Sequence, residues 1–302
     1  MTSVSALICN VKKGPQIWIA DELETLGDIR QSSISDKLYH IGNIPYCVGG
    51  AGSVPLIKRT MEDVCNYAAK EEVGYAKDME NVIKTSYMKN YIRMREEAVM
   101  KPNGTTWDEW KTGRLKENSA LTGKILEQLN RFDDRNMSRF LGGGKLAKDE
   151  EYRLSQVSVT DVTGEQYYSI GSGMLRADAI LSDYLERMKS EERKDIPAPL
   201  GVRMLIEATQ SARSMPGVGG TGQIVYLNED GFNQLSSDEV RLLHNLVFDE
   251  KTKLVKKNFV DKTIEGIMNK ETDVKEVLKK LETRVNPKKL LKEHYTGRLQ
   301  RY

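Results

Sequence analysis

The sequence predicts an α+β fold, a sandwich of layers with sheets in the middle and helices packed outside. Three observations predict it. Short runs of strand formers open the chain and return at 152–160, 166–170 and 223–227. Between them lie segments whose apolar residues recur at helical spacing. The resulting order of strands, two helices, strands, two helices and a strand packs most simply as layers.

Residues 3–10 (SVSALICN) and 16–20 (QIWIA) are apolar runs separated by Lys13-Gly14-Pro15, which predicts a hairpin. A second pair, 37–41 (KLYHI) and 44–48 (IPYCV), turns about Gly42-Asn43. The glycine-rich stretch Gly49-Gly50-Ala51-Gly52 then predicts a tight turn. Ser53 with Pro55 behind it signals a helix start, and Ile57, Met61, Val64, Cys65 and Ala68 supply one apolar face.

Residues 76–147 are highly charged and helical in pattern, are closed by Gly142-Gly143-Gly144, and read as a helical insertion. Trp107 and Trp110 are expected to anchor it. The strands at 152–160 and 166–170 are read as joined by a turn at Thr163-Gly164. A helix starts near Met174, and Val202, Leu205, Ile206 and Ala208 mark another. The strand QIVYL at 223–227 precedes the turn Asn228-Glu229-Asp230-Gly231. Ser236 and Glu239 have capping-box spacing. Residues 246–302 read as a lysine-rich helical tail. The division is thus a core over 2–75 and 148–245, an insertion over 76–147, and a tail.

The chain has 302 residues and a formal net charge of +2 from 46 basic and 44 acidic side chains. So even a balance leaves no electrostatic footprint for nucleic acid. Cys9, Cys47 and Cys65 lack metal-site or CxxC spacing, and Cys47 and Cys65 are expected as reduced, buried thiols. No apolar run approaches the ~20 residues that span a bilayer. The N-terminus lacks the pattern of a signal peptide. A cytoplasmic protein with no membrane and no nucleic-acid partner is the expectation.

Thr2 directly follows Met1. Methionine is removed efficiently before small residues, and its removal exposes an α-amine of pKa about 7.7–8.0. Such an amine is a general base of suitable strength beside its own hydroxyl.

The N-terminal 57 residues or so resemble proteasome β subunits and the HslV protease. In those families a mature N-terminal Thr opens a strand, and a second strand ends in Ala-Asp, matched by Ala20-Asp21. Gly27 matches a glycine in the next loop, Lys37 a lysine heading the third strand, and Ala51-Gly52-Ser53 the turn into the first helix. Further on, Ile170-Gly171-Ser172-Gly173 and the Gly219-Gly220 pair before QIVYLNEDGF match as well. The resemblance covers about 2–75 and 152–243.

It implies a four-layer αββα sandwich of the N-terminal-nucleophile (Ntn) hydrolase type, and a threonine peptidase or amidase. Thr2 Oγ would attack a carbonyl and the Thr2 amine would take the proton. Lys37 would favour the developing anion, with Asp21 holding it charged. The Gly52 amide would be an oxyanion donor, and Ser172 would bond the Thr2 amine. No metal and no cofactor are implied. The implied partners are a peptide or protein substrate, a homo-oligomer and a separate ATPase.

Three positions depart from the family: Met215 and Val218 stand where an Asp and a Ser usually precede the Gly-Gly pair, and Leu23 where an Arg is common. Two alternatives follow. One is a transpeptidase or ligase in the manner of the proteasome-like connectases, where an amine resolves the acyl-threonine. The other is a catalytically silent, proteasome-like scaffold subunit. His40, His244 and His294 are assigned no catalytic role.

Overall fold

The hairpin that opens the chain forms as its alternation predicts: β1 (Ser3–Ile8) pairs antiparallel with β2 (Gln16–Asp21). It belongs to a computed structural model that describes residues 3–10, 12–21, 37–113, 118–158, 162–215 and 222–278. β3 (Leu38–His40) and β4 (Tyr46–Ala51) follow, then α1 (Val54–Ala68), α2 (Ala76–Arg95), the short α3 (Trp107–Lys111) and α4 (Ser119–Asn136). Next come β5 (Arg139–Gly144), β6 (Arg153–Val157), β7 (Val162–Gly164) and β8 (Tyr167–Gly171). α5 (Met174–Glu186), the one-turn α6 (Ser190–Arg193) and α7 (Ala198–Ala212) lead to β9 (Gln223–Asn228) and β10 (Gly231–Gln234). α8 (Ser237–Lys251) and α9 (Lys257–Met268) follow.

The strands make two antiparallel five-stranded sheets, β10-β9-β2-β1-β8 and β3-β4-β5-β6-β7. Strand alternation decides what each sheet face covers. Val4, Ala6 and Trp18 of the first sheet meet Cys47, Leu141 and Leu154 of the second in a core between the sheets. The alternate residues Leu7, Ile17, Ile19 and Tyr226 face outward onto α5, α7, α8 and α9, where Leu181, Leu205, Leu246 and Ile264 bury them. Tyr46, Val48 and Phe140 of the second sheet pack on Leu56, Met61, Ile83 and Leu129 from α1, α2 and α4. The α+β sandwich therefore runs helices, sheet, sheet, helices. Each fully buried Leu or Ile contributes about 1.5–3 kcal/mol to it.

Several sequence expectations need correction. Residues 139–144, at the end of the segment read as a helical insertion, are the central strand of the second sheet, paired with β4 and β6. α2, from the same segment, packs on α1 and against β5 and β6. The boundary set at 245/246 falls within α8, and α9 packs into the helix layer on α7. The glycines explain the misreading. A Cβ at Gly142 would come 2.6 Å from the Tyr46 hydroxyl, one at Gly143 2.6 Å from the Arg153 carbonyl, and one at Gly144 would strike the Pro45 carbonyl. Neighbouring strands, not turns, demand these glycines. Likewise Gly49 and Gly50 lie in β4, where a Cβ would come 2.7 Å from Val4 Cγ1 and 2.8 Å from Ile57 Cγ2.

Thr163-Gly164 belongs to a strand, β7, and does not simply join a hairpin. β6 and β8 lie in different sheets. Trp107 and Trp110 pack against the second sheet's helix-layer core, with the Arg95 guanidinium 4.9 Å over Trp107. No helix among the described residues is long and apolar enough to cross a membrane.

Candidate active site

The first residue of β1, Ser3, pairs with Asp21 at the end of β2 and with Gly171 at the end of β8. One inner strand thus begins where both its neighbours finish. Thr2 lies outside the described residues, and so does the side chain of Asp21. The second sheet brings its own candidates to a matching end: Leu38, just after Lys37, pairs with Gly49, and Ala51, just before Gly52, pairs with Arg139.

The two ends lie on the same side of the sandwich. The Lys37 N–H donates to the side-chain oxygen of Gln223 at 3.2 Å, and Gln223 pairs with Ala20, the neighbour of Asp21. The Lys37 carbonyl accepts from the Gly50 N–H at 3.1 Å. Lys37 is 8% exposed, so its backbone is fixed between the sheets and its side chain is largely removed from water.

Gly52 follows β4 in a conformation that suits glycine alone, with φ +128°. A Cβ there would run into the Met137 carbonyl and come 2.7 Å from Ser138 Cα. The turn is held by the chain just after α4. The Ser53 N–H donates to Ser138 Oγ at 3.0 Å, Ser53 Oγ donates to Asn136 Oδ1 at 3.1 Å, and the Ser138 N–H donates to the Tyr87 hydroxyl at 3.1 Å. Gly52 itself is exposed between buried Ala51 and Ser53. Its peptide is therefore presented to solvent from a rigid mount.

Ser172 is exposed in the turn between β8 and α5. It does not cap that helix: the N-cap is Gly173, and no side chain caps it. Gly173 sits against the head of β1, where a Cβ would come 3.2 Å from both Cβ and Oγ of Ser3. Beneath this corner, Ser5 and Ser169 share a buried hydroxyl–hydroxyl bond of 2.9 Å. Asp178 of α5 lies beside Ser169, and its Oδ1 is buried without a partner among the described residues. Burial pushes its carboxyl up, against the opposing pull of the Ser169 hydroxyl and amide.

Gln223, Asn136, Ser138 and Asp178 carry no signal in the sequence; each matters only through a partner far along the chain. Met215 packs part-buried against the helix-layer core, and Val218, Gly27, Leu23 and the Gly219-Gly220 pair lie outside the described residues. His40 stacks on Phe232 with ring centroids 4.2 Å apart, at the opposite end of β3 from Lys37. His244 is in α8 and His294 lies outside the described residues.

Cys9, Cys47 and Cys65 are free. Burial pushes the Cys9 thiol up to about 12 and the Cys47 thiol up as well, which leaves both inert as nucleophiles. Cys65 is only half-buried, less than its apolar neighbours predict. Among the described residues no group of three His, Cys, Asp or Glu side chains is placed to hold a metal ion. No family model matches the sequence, and no curated protein matches it.

Proposed function

We propose that the chain is a threonine-type Ntn hydrolase, akin to proteasome β subunits and HslV, that cleaves peptide or amide bonds. The observation that carries this reading is the convergence at one end of the sandwich. Ser3, the residue after Thr2, lies between Asp21 and Gly171, while Lys37 is tied across the sheets to Gln223 and next to the Gly50–Gly52 turn. The helix–sheet–sheet–helix layering supports the same reading.

With Met1 removed, Thr2 Oγ adds to the substrate carbonyl as its proton passes to the Thr2 amine. The Gly52 amide and the Lys37 ammonium stabilise the oxyanion. Collapse expels the substrate's amine, which takes the proton, and leaves an acyl-threonine ester. Water, activated by the same amine, then hydrolyses the ester and restores Thr2. Ser172 bonds the Thr2 amine, and Asp21 keeps Lys37 charged. The partners are a peptide or protein substrate, copies of the chain itself, and a separate ATPase that unfolds proteins for it.

Intact mass and labelling by a small β-lactone test this. Wild-type protein should lack Met1 and gain one lactone adduct at Thr2, and Thr2→Ala should gain none. Active protein that retains Met1 sinks the mechanism. A second reading, a silent scaffold subunit, is favoured by Met215, which packs part-buried against the helix-layer core where the family places a supporting Asp. It predicts no adduct on wild-type protein.

A further inference from the structure

We propose that the entrance to this site docks a peptide carrying a large apolar side chain beside a carboxylate, an inference that rests on the hydrolase reading for the location of the bond attacked. Leu175 and Met137 are 75% and 63% exposed, the two most exposed large hydrophobic side chains among the described residues. A lone exposed apolar side chain is ordinary on a protein surface. Here the two extreme cases both flank the place where the candidate site residues converge. The Met137 carbonyl lies against Gly52, and Leu175 is the third residue after Ser172. They come from different layers, and Arg139 spans the gap: its guanidinium Nη1 donates to Met174 Sδ at 3.1 Å. Arg139 therefore bridges the chain after α4 and the first turn of α5 beside the candidate site.

The charge at this entrance selects the sign of the occupant. Arg139 and Arg176 are exposed, and neither has a carboxylate partner among the described residues. The first turn of α5 holds no acidic residue, so no side chain of that turn offsets the positive end of its dipole. A carboxylate on the incoming peptide supplies the missing partner, and a basic peptide is repelled. A twofold contact whose axis passes through this patch would set these like charges facing one another, which disfavours a second copy so placed as the occupant.

The experiment separates docking from chemistry by using the Thr2→Ala protein, which cannot turn a peptide over. Fluorescence anisotropy measures binding of three dye-labelled heptapeptides that differ only at two central residues: Leu-Glu, Ser-Glu and Leu-Lys. The Leu-Glu peptide should bind at least tenfold tighter than either of the others. Met137→Asp with Leu175→Ser should erase the Leu-over-Ser preference, and Arg139→Glu should invert the preference for Glu over Lys. Equal binding of the three peptides overturns the proposal, as do preferences that survive these substitutions. So does a pair of substitutions that changes the mass in light scattering while the peptide preferences stay intact, since the surface would then be a contact between copies. Lactone labelling of wild-type protein is scored apart: its absence sinks the hydrolase reading, while the peptide preferences alone decide the docking surface.

Discussion

The backbone N–H of Lys37 donates to the Gln223 side-chain oxygen at 3.2 Å, and this bond joins the entry of the second sheet to the start of β9 in the first. It sets the position of Lys37 relative to the end of β2, because Gln223 pairs with Ala20. Gln223→Ala should lower stability by on the order of 1 kcal/mol, the usual net value of one hydrogen bond. It should also slow lactone labelling of Thr2. Urea unfolding and a labelling time course read the two effects. An unchanged labelling rate at reduced stability would mean that the bond does not position Lys37.

Gly52 and Gly231 allow a controlled comparison of backbone strain. Both have positive φ, +128° and +103°, but a Cβ at Gly231 meets open space whereas one at Gly52 meets Met137 and Ser138. Gly231→Ala should cost about 1–3 kcal/mol from conformation alone. Gly52→Ala should cost more, because the turn must also shift. Denaturant midpoints of the two variants give the difference.

Arg203 is the ionic centre of the outer helix layer. Its guanidinium, on α7 and largely buried, bonds Glu250 of α8 at 2.7 Å and Asp261 of α9. Arg203→Met would leave two carboxylates facing each other without a cation. Removing one partner from such a buried set costs about 3–5 kcal/mol. Chemical denaturation should show that loss, and Asp261→Asn in the same background should recover part of it.

Both ring nitrogens of His244 are buried and lack partners among the described residues. Burial first, and the nearby positive charge of Arg213 second, push its pKa down to about 3. An unfolded-state histidine titrates near 6.5, so between pH 6.5 and pH 3 the unfolded chain binds the proton that the folded chain refuses. Stability is therefore full above about pH 6.5 and falls as the pH drops through that window, by about 1.4 kcal/mol per unit. His244→Phe should remove this slope. Thermal unfolding from pH 7 to pH 4, compared between the two proteins, measures it.

Elements whose signals are local were legible in the sequence. The alternation of SVSALI and QIWIA, the helical spacing of Ile57, Met61 and Val64, and the Ser236–Glu239 capping box all appear where expected. The box is closed in both directions, with Ser236 N–H donating to Glu239 at 2.6 Å and Glu239 N–H donating back at 3.3 Å. The Ala20-Asp21, Lys37 and Gly52 positions stood out by type and order, without any indication of the contacts that would hold them.

Sequence alone thus determined the period and apolar face of the segments with strong local patterns, and the chemical types of the candidate residues. Tertiary structure decided pairing and proximity. Gly142-Gly143-Gly144 is a central strand because Tyr46, Pro45 and Arg153 crowd it from the strands beside it, and that crowding has no trace in the local pattern. β6 and β8 part into different sheets because β8 pairs with β1, at least 160 residues earlier in the chain. Arg139 reaches Met174, and Lys37 reaches Gln223, only once two sheets stack. Periodicity is a property of neighbours along the chain; pairing is a competition among distant segments for the same hydrogen bonds and the same buried volume, and only the assembled fold settles it.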